Sequence, residues 1–95
     1  MQLIPPTNSV ALAFYLLLEA GIKGVTNYDA VVNEKFFKFN TRVSNLILYH
    51  NIPIHKKVEK GTNRFGHSYN NTRYALYISD LEENIKKYNE INKKK

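Results

Sequence analysis

The chain of 95 residues contains no cysteine. This absence excludes a disulfide framework, a thiolate metal cluster and a cysteine nucleophile, and it is compatible with a reducing cytoplasm. Long apolar runs are also missing, since the longest, Val10 to Leu18, is about half of what a helix needs to cross a bilayer. The first residues lack the basic segment with which a signal peptide begins. We therefore expect a soluble cytoplasmic protein that has no membrane partner.

A phosphate-binding P-loop is missing as well. Four residues separate Gly61 from Gly66, as the P-loop motif requires. His67 and Ser68 follow, however, where the motif needs lysine and then serine or threonine. A strand, and not a helix, is predicted to come next. The match therefore fails both in sequence and in context.

Sets of metal-ligating and catalytic residues are scarce too. His50 lies on the apolar face of a predicted helix, and His55 and His67 can face each other across a hairpin without a carboxylate or a third nitrogen at ligand spacing. The acidic residues at 80–83 are explained by the dipole at the start of the last helix. No serine has a histidine and aspartate partner in a recognisable motif. We expect no metal, no cofactor and no catalysis.

Positive charge is what the chain has in excess. Fourteen Lys/Arg stand against eight Asp/Glu, which gives a formal net charge of +6. Residues 1–22 carry one charged side chain, Glu19, whereas residues 55–73 carry five cations and Glu59. A basic balance favours nucleic acid, an anionic membrane surface or an acidic protein as partner. The cationic region is therefore a candidate binding face.

The apolar pattern of the first third of the chain predicts two helices. The first begins at Asn8 or Ser9 and ends at Gly21 in the left-handed conformation. Because it is apolar on nearly all sides, we expect it at the centre of the core. The second helix follows a short extended link and is capped by Thr26, with Asp29 in its first turn.

A third helix is predicted at about residues 41–50, starting at Asn40 or Thr41. After Asn51 the apolar period changes from helical to alternating, which predicts an antiparallel two-stranded hairpin. The residues at 60–71, KGTNRFGHSYNN, are polar and rich in glycine and asparagine, and we expect them to form a long loop between the strands.

A last helix is predicted from Ser79, which caps it together with Glu82, and residues 79–95 comprise this helix and a basic tail. The whole chain, 1–95, is then a single α+β domain of three helices, a two-stranded hairpin and a C-terminal helix. The narrow apolar stripe of the last helix is either a homodimer surface or the face that packs on the first helix; it comprises Leu81, Ile85 and Tyr88.

The second and third helices have the proportions of a helix-turn-helix. Asn45 on the third helix is suited to adenine, Arg42 to guanine or phosphate, and nearby hydroxyls to either base or backbone. The cationic hairpin adds phosphate contacts. We therefore predict binding to duplex DNA. The candidate contacts, on the third helix and the hairpin, are Thr41, Arg42, Ser44, Asn45, Tyr49, Lys56, Lys57, Lys60, Asn63, Arg64 and Arg73.

Three segments of sequence carry a resemblance to a known family: NTRVSNLILYHNIPI at 40–54, TNRFG at 62–66 and RYALY at 73–77. They look like the recognition helix and wing of winged helix-turn-helix DNA-binding proteins, in particular of small phage-encoded helix-turn-helix proteins. The resemblance covers about the middle two-thirds of the chain.

This resemblance implies a phage or mobile-element regulator in the cytoplasm of a bacterial host. Its recognition helix would lie at about 41–50, with Arg42 at the start, and its basic wing at about 56–73. The sequence departs from the pattern because Leu48 and Tyr49 stand where such helices often carry further charge. A surface poor in cations can dock a protein instead.

Two alternatives to duplex binding therefore remain. The first is a phage-type module that binds or inhibits a host or phage protein, using exposed aromatic side chains of the hairpin. The second is binding of single-stranded DNA or RNA by stacking of bases on Phe65 and Tyr69.

Overall fold

The computed structural model describes residues 3–93 and has an α+β fold of four α-helices and a three-stranded antiparallel sheet. Short 3-10 turns occupy Gly21–Lys23 and Ile78–Asp80. Lys94 and Lys95 of the predicted basic tail lie outside the described residues. The elements are α1 (Ser9–Ala20), β1 (Val25–Thr26), α2 (Asn27–Glu34), α3 (Phe39–His50), β2 (Ile54–Thr62), β3 (Ser68–Leu76) and α4 (Leu81–Lys93).

Helix α1 lies at the centre of the core, as its apolar composition predicts. The Asn8 side chain caps it by accepting a hydrogen bond of 2.8 Å from the backbone N–H of Ala11. Phe14 and Leu17 are fully buried. The helix ends at Gly21, which has a positive φ of 61°, but its ψ of −136° lies outside the left-handed helical region that was predicted.

The predicted cap of α2 is confirmed. The Thr26 hydroxyl accepts from the backbone N–H of Asp29 at 3.0 Å, and the Asp29 carboxylate accepts from the backbone N–H of Thr26 at 3.3 Å. Helix α3 begins at Phe39, slightly before its predicted start. Phe39 is completely buried, and burial of its ring places the start of the helix before the predicted start at Asn40 or Thr41. The polar residues that follow Phe39 do not indicate this earlier start.

The sheet contains a strand that the sequence did not reveal. Strand β1 has two residues and pairs with β3, with Val25 opposite Tyr74 and Thr26 opposite Arg73. The strand order is β1-β3-β2, so the predicted two-stranded hairpin is corrected to a three-stranded sheet. Two residues are too few to produce an alternating pattern, and the pairing of β1 depends on a partner far along the chain.

The long loop predicted at 60–71 is wrong. Strands β2 and β3 stay paired as far as Thr62 opposite Ser68, which leaves a turn at residues 63–67. Asn70 and Asn71 are strand residues, and neither has a positive φ. Backbone pairing continues through polar residues because both faces of this outer segment are exposed and no apolar alternation is needed.

Helix α4 begins at Leu81, so the predicted cap by Ser79 is also wrong; Ser79 lies inside the preceding 3-10 turn. Tyr88 is completely buried and meets Phe14 edge to face, with ring centroids 6.0 Å apart. It therefore cannot contribute to the predicted dimer surface, and α4 packs on α1. Leu81 remains 43% exposed, and the dimer itself stays a prediction.

The segment before α1 is tied to α4 by hydrogen bonds. The backbone N–H of Thr7 donates to the Asn92 side chain at 2.6 Å, whose amide nitrogen donates to the carbonyl of Pro5 at 3.1 Å. The Tyr88 hydroxyl donates to the carbonyl of Ile4. Within residues 3–93, no helix has the length and apolar character that crossing a membrane would require.

Candidate nucleic-acid interface

The tip of the hairpin formed by β2, residues 63–67 and β3 is a tight turn. The backbone N–H of Asn63 donates to the carbonyl of His67 at 2.9 Å, and that of Gly66 donates to the carbonyl of Asn63 at 3.0 Å. Gly66 has a φ of 83°. This is the three-residue hairpin loop in which a glycine takes the positive-φ position. Residues 64–66 are therefore held at the extreme end of the hairpin.

The Asn63 side chain stabilises this turn from within. Its carbonyl oxygen accepts from the backbone N–H of Phe65 at 2.9 Å and from that of His67 at 3.1 Å. Asn63 was predicted to contact DNA. In the structure its oxygen serves the turn, so its first role is to position its neighbours Arg64 and Phe65.

Arg64 stands at the tip with its guanidinium over an aromatic ring. Its guanidinium carbon lies 4.7 Å from the centroid of the Phe65 ring, and this ring is 71% exposed. A cation over an aromatic face is attracted by the ring quadrupole without losing its charge. Among the described residues Arg64 forms no ion pair. The tip therefore presents a positively charged, planar group on an apolar support.

The strand register separates the predicted lysines into two faces. Lys56, Val58 and Lys60 lie opposite Tyr74, Thr72 and Asn70, respectively. Because alternate residues of a strand point to the same face, Lys56 and Lys60 share one face, and Lys57 points to the other. All three lysines are exposed. Lys56 and Lys60 thus form a row that the structure brings together, and Lys57 lies apart from it.

Arg73 is engaged within the protein. Its Nε donates to Glu59 Oε2 at 2.8 Å, a second nitrogen donates to Glu59 Oε1 at 3.2 Å, and a third donates to the carbonyl of Lys23 at 3.2 Å. The hydrogen bond from Arg73 lowers the pKa of Glu59, and the same bond raises the pKa of Arg73. Arg73 thus fixes the hairpin to the turn after α1. Its predicted phosphate contact would require it to leave Glu59.

The predicted base contacts on the outer face of α3 differ in how far their side chains are exposed to solvent. Thr41, Ser44 and Tyr49 are exposed, whereas Arg42 and Asn45 are half-buried. The Arg42 Nε is closed to solvent and has no hydrogen-bond partner among the described residues. The side chains of Thr41, Ser44 and Tyr49 are therefore open to contact with a ligand, while those of Arg42 and Asn45 are partly covered.

Two large apolar side chains are exposed on α3 and in the turn before it. Phe37, in that turn, was not predicted as a contact and is 73% exposed, and Leu48, which the sequence marks as an uncharged position of the helix, is 70% exposed. On the hairpin, Tyr69 lies across the strand from Gly61, where any side chain would collide with its ring. This close approach could have been suspected from a glycine within an alternating strand pattern.

Charge is distributed very unevenly between residues 35–76 and the rest of the chain. Residues 35–76, which include α3 and the hairpin, carry eight Lys/Arg and one acidic residue, a formal charge of +7. The rest of the chain carries six Lys/Arg and seven acidic residues, a formal charge of −1. The positive potential therefore belongs to α3 and the hairpin and not to the protein as a whole.

The described residues contain no cluster of three or more histidine or acidic side chains that could hold a metal ion. A scan against protein-family models finds no match, and searches of curated proteins and of solved structures find none either.

Proposed function

We propose that this chain is a winged helix-turn-helix protein that binds double-stranded DNA. Helix α3 would enter the major groove, and the hairpin would be the wing, lying over an adjacent phosphate backbone or minor groove. The order of four helices and three antiparallel strands is compatible with that fold.

The observation that carries the proposal is the position of the free cations. Lys56 and Lys60 share one exposed face of the hairpin, and Arg64 stands at its tip without an ion-pair partner among the described residues. All of the excess positive charge lies between residues 35 and 76. Cations so arranged neutralise phosphates and release counterions, which is the main source of affinity for DNA irrespective of its sequence.

Sequence preference would come from α3. Ser44 and Thr41 are exposed on it, and Asn45 is half-buried beside them. Asparagine pairs with adenine through two hydrogen bonds. Asn45→Ala is therefore expected to reduce discrimination between sequences more than it reduces overall affinity. A role as a phage or mobile-element regulator belongs to the same proposal and is supported by the resemblance of residues 40–54, 62–66 and 73–77.

A titration of a labelled duplex at two salt concentrations tests the proposal. Contacts from Lys56, Lys60 and Arg64 predict a slope of log affinity against log salt of about −3, since each neutralised phosphate contributes about −0.9. A single strand of the same length serves as competitor and separates duplex binding from stacking of unpaired bases. If no binding to duplex occurs even at low salt, the proposal is wrong.

Exposed apolar side chains favour one second candidate, a module that docks on a host or phage protein. Leu48 and Tyr49, in the last turn of α3, and Phe37, in the turn before the helix, are each at least 70% exposed. Exposed apolar side chains that form a contiguous patch mark interaction surfaces. This candidate predicts that Phe37→Ser with Leu48→Ser abolishes capture of a protein partner.

A further inference from the structure

A second surface feature lies away from the hairpin, where α1, β3 and α4 meet. It is a cavity of about 340 Å³. Leu17 and Leu76 are buried in its wall, and Ile22 and Leu81 at its mouth are 71% and 43% exposed. Small-molecule sites have volumes of roughly 300–1,000 Å³ and mostly apolar linings. The cavity meets both conditions.

Asn84 is the polar feature of this cavity. Its side chain lines the cavity and is 1% exposed. Neither its amide oxygen nor its amide nitrogen has a hydrogen-bond partner among the described residues. Burial of an amide without partners is unfavourable, and most buried polar side chains in proteins are paired. The amide nitrogen and oxygen of Asn84 therefore lack the hydrogen-bond partners that such groups ordinarily have.

The chemistry of the lining restricts what can supply those partners. An amide offers a donor and an acceptor side by side, and a second amide matches both. Among the residues that the structure describes, no charged side chain lines the cavity. A carboxylate or ammonium group would thus be buried without a counterion, which is costly. The partner must be neutral, and the rest of it must be apolar to match the leucine walls.

We propose that this cavity binds a small neutral molecule that joins an apolar body to a carboxamide or lactam group. The ligand carbonyl accepts a hydrogen bond from Asn84 Nδ2, and the ligand N–H donates to Asn84 Oδ1. The apolar body rests between Leu17, Leu76 and Leu81. Both amide atoms of Asn84 are closed to solvent, so binding requires the cavity lining around Asn84 to move aside.

The first test compares benzamide with acetophenone, which have nearly the same size and each carry a carbonyl on the ring, but acetophenone lacks the N–H donors. Each is titrated, up to its solubility limit, into the ¹⁵N-labelled full chain, and amide chemical shifts are followed. Benzamide is expected to shift the resonances of residues 76, 77, 81 and 84 saturably. It is also expected to bind about tenfold more tightly than acetophenone, which is the difference in affinity that one additional hydrogen bond gives. Equal affinities, or no saturable shift with benzamide, would overturn the proposal.

The second test removes the amide. Asn84→Leu keeps the branched shape of the side chain and is expected to lower benzamide affinity about a hundredfold, because two hydrogen bonds are lost, and acetophenone affinity about tenfold, because only the bond to its carbonyl is lost. Retention of full benzamide affinity by this variant would overturn the assignment to Asn84. The comparison of the two probes in the wild-type chain needs no variant, so it decides the matter even if Asn84→Leu fails to fold. Neither test involves DNA, and their outcome is independent of the duplex titration.

Discussion

Half of the twelve residues of α1 are buried, whereas none of the nine residues of β2 is. Helix α1 consists almost entirely of side chains that touch the core. In the outer hairpin, by contrast, the backbone ladder and one tight turn maintain the structure, and the side chains are left exposed. Stability and binding are thereby assigned to different parts of the chain. Side chains of the outer hairpin should be replaceable without loss of the fold, and those of α1 should not.

The largest expected effect on stability comes from a substitution in the packed helix α1. Phe14→Ala removes a fully buried ring that meets Tyr88 edge to face. We expect a loss of about 3–5 kcal/mol in the free energy of unfolding, the usual cost of such a cavity. Urea denaturation measures it. The matched control is Phe65→Ala at the hairpin tip, where we expect a change within about 0.5 kcal/mol because the ring is exposed. Similar losses in both variants would contradict the comparison.

The next effect tests the exposed side. Lys60→Gln with Arg64→Gln removes two free cations from the hairpin and is expected to reduce the salt slope of duplex binding by about 2. Between roughly 50 and 200 mM salt this corresponds to about a tenfold difference in affinity. Lys86→Gln with Lys93→Gln removes the same charge from α4 and serves as control. An equal loss of slope in both double variants would mean that only net charge matters.

A smaller effect concerns the buried hydroxyl of Tyr88. Tyr88→Phe removes its hydrogen bond to the carbonyl of Ile4, and we expect a loss of about 1 kcal/mol in urea denaturation at neutral pH. Burial also raises the pKa of Tyr88 above its ordinary value of 10.0. The folded chain thus holds this proton more tightly than the unfolded chain.

The stabilising contribution of that proton is complete below pH 10 and is lost as the pH rises through the raised pKa. Tyr88→Phe should therefore lose less stability than the wild type on going to alkaline pH. Part of the alkaline loss should remain, because burial raises the pKa of Tyr74 as well. Parallel pH profiles for the variant and the wild type would contradict this reading.

The smallest effect is expected where the two regions meet. Glu59→Gln weakens the contact with Arg73, whose hydrogen bond lowers the Glu59 pKa below its ordinary 4.5. The contribution of this pair is present above that value and disappears as the pH falls through the lowered pKa. The wild type should thus lose slightly more stability in acid than the variant, as thermal denaturation would measure. The pair is partly exposed, so the effect at neutral pH should be small. An identical acid response would show that the pair contributes nothing.

Local chemistry allowed much of the fold to be predicted. The Thr26–Asp29 cap and the apolar periods of α1 and α3 are properties of neighbouring residues, and each indicates the element that is present. The features that were missed depend on distant partners. Strand β1 exists because Val25 pairs with Tyr74, and the hairpin continues through polar residues because its backbone pairs across the turn.

In the candidate site, too, features set by neighbouring residues could be predicted and features that depend on distant partners could not. Exposure of Arg64 between two glycines could be foreseen from the sequence, and the turn at 63–67 accounts for it. The engagement of Arg73 could not, because only the register places it beside Glu59. Composition identified the cationic region, while strand register decided which of its cations are free.

The contact between Phe14 and Tyr88 has a consequence for synthesis of the chain. Phe14 leaves the ribosome long before the residue that covers it, and the tie between Thr7 and Asn92 also waits for α4. Until α4 has emerged, the most apolar helix of the protein has its centre uncovered. Nascent chains that stall after the hairpin should therefore expose an apolar surface on which chaperones act.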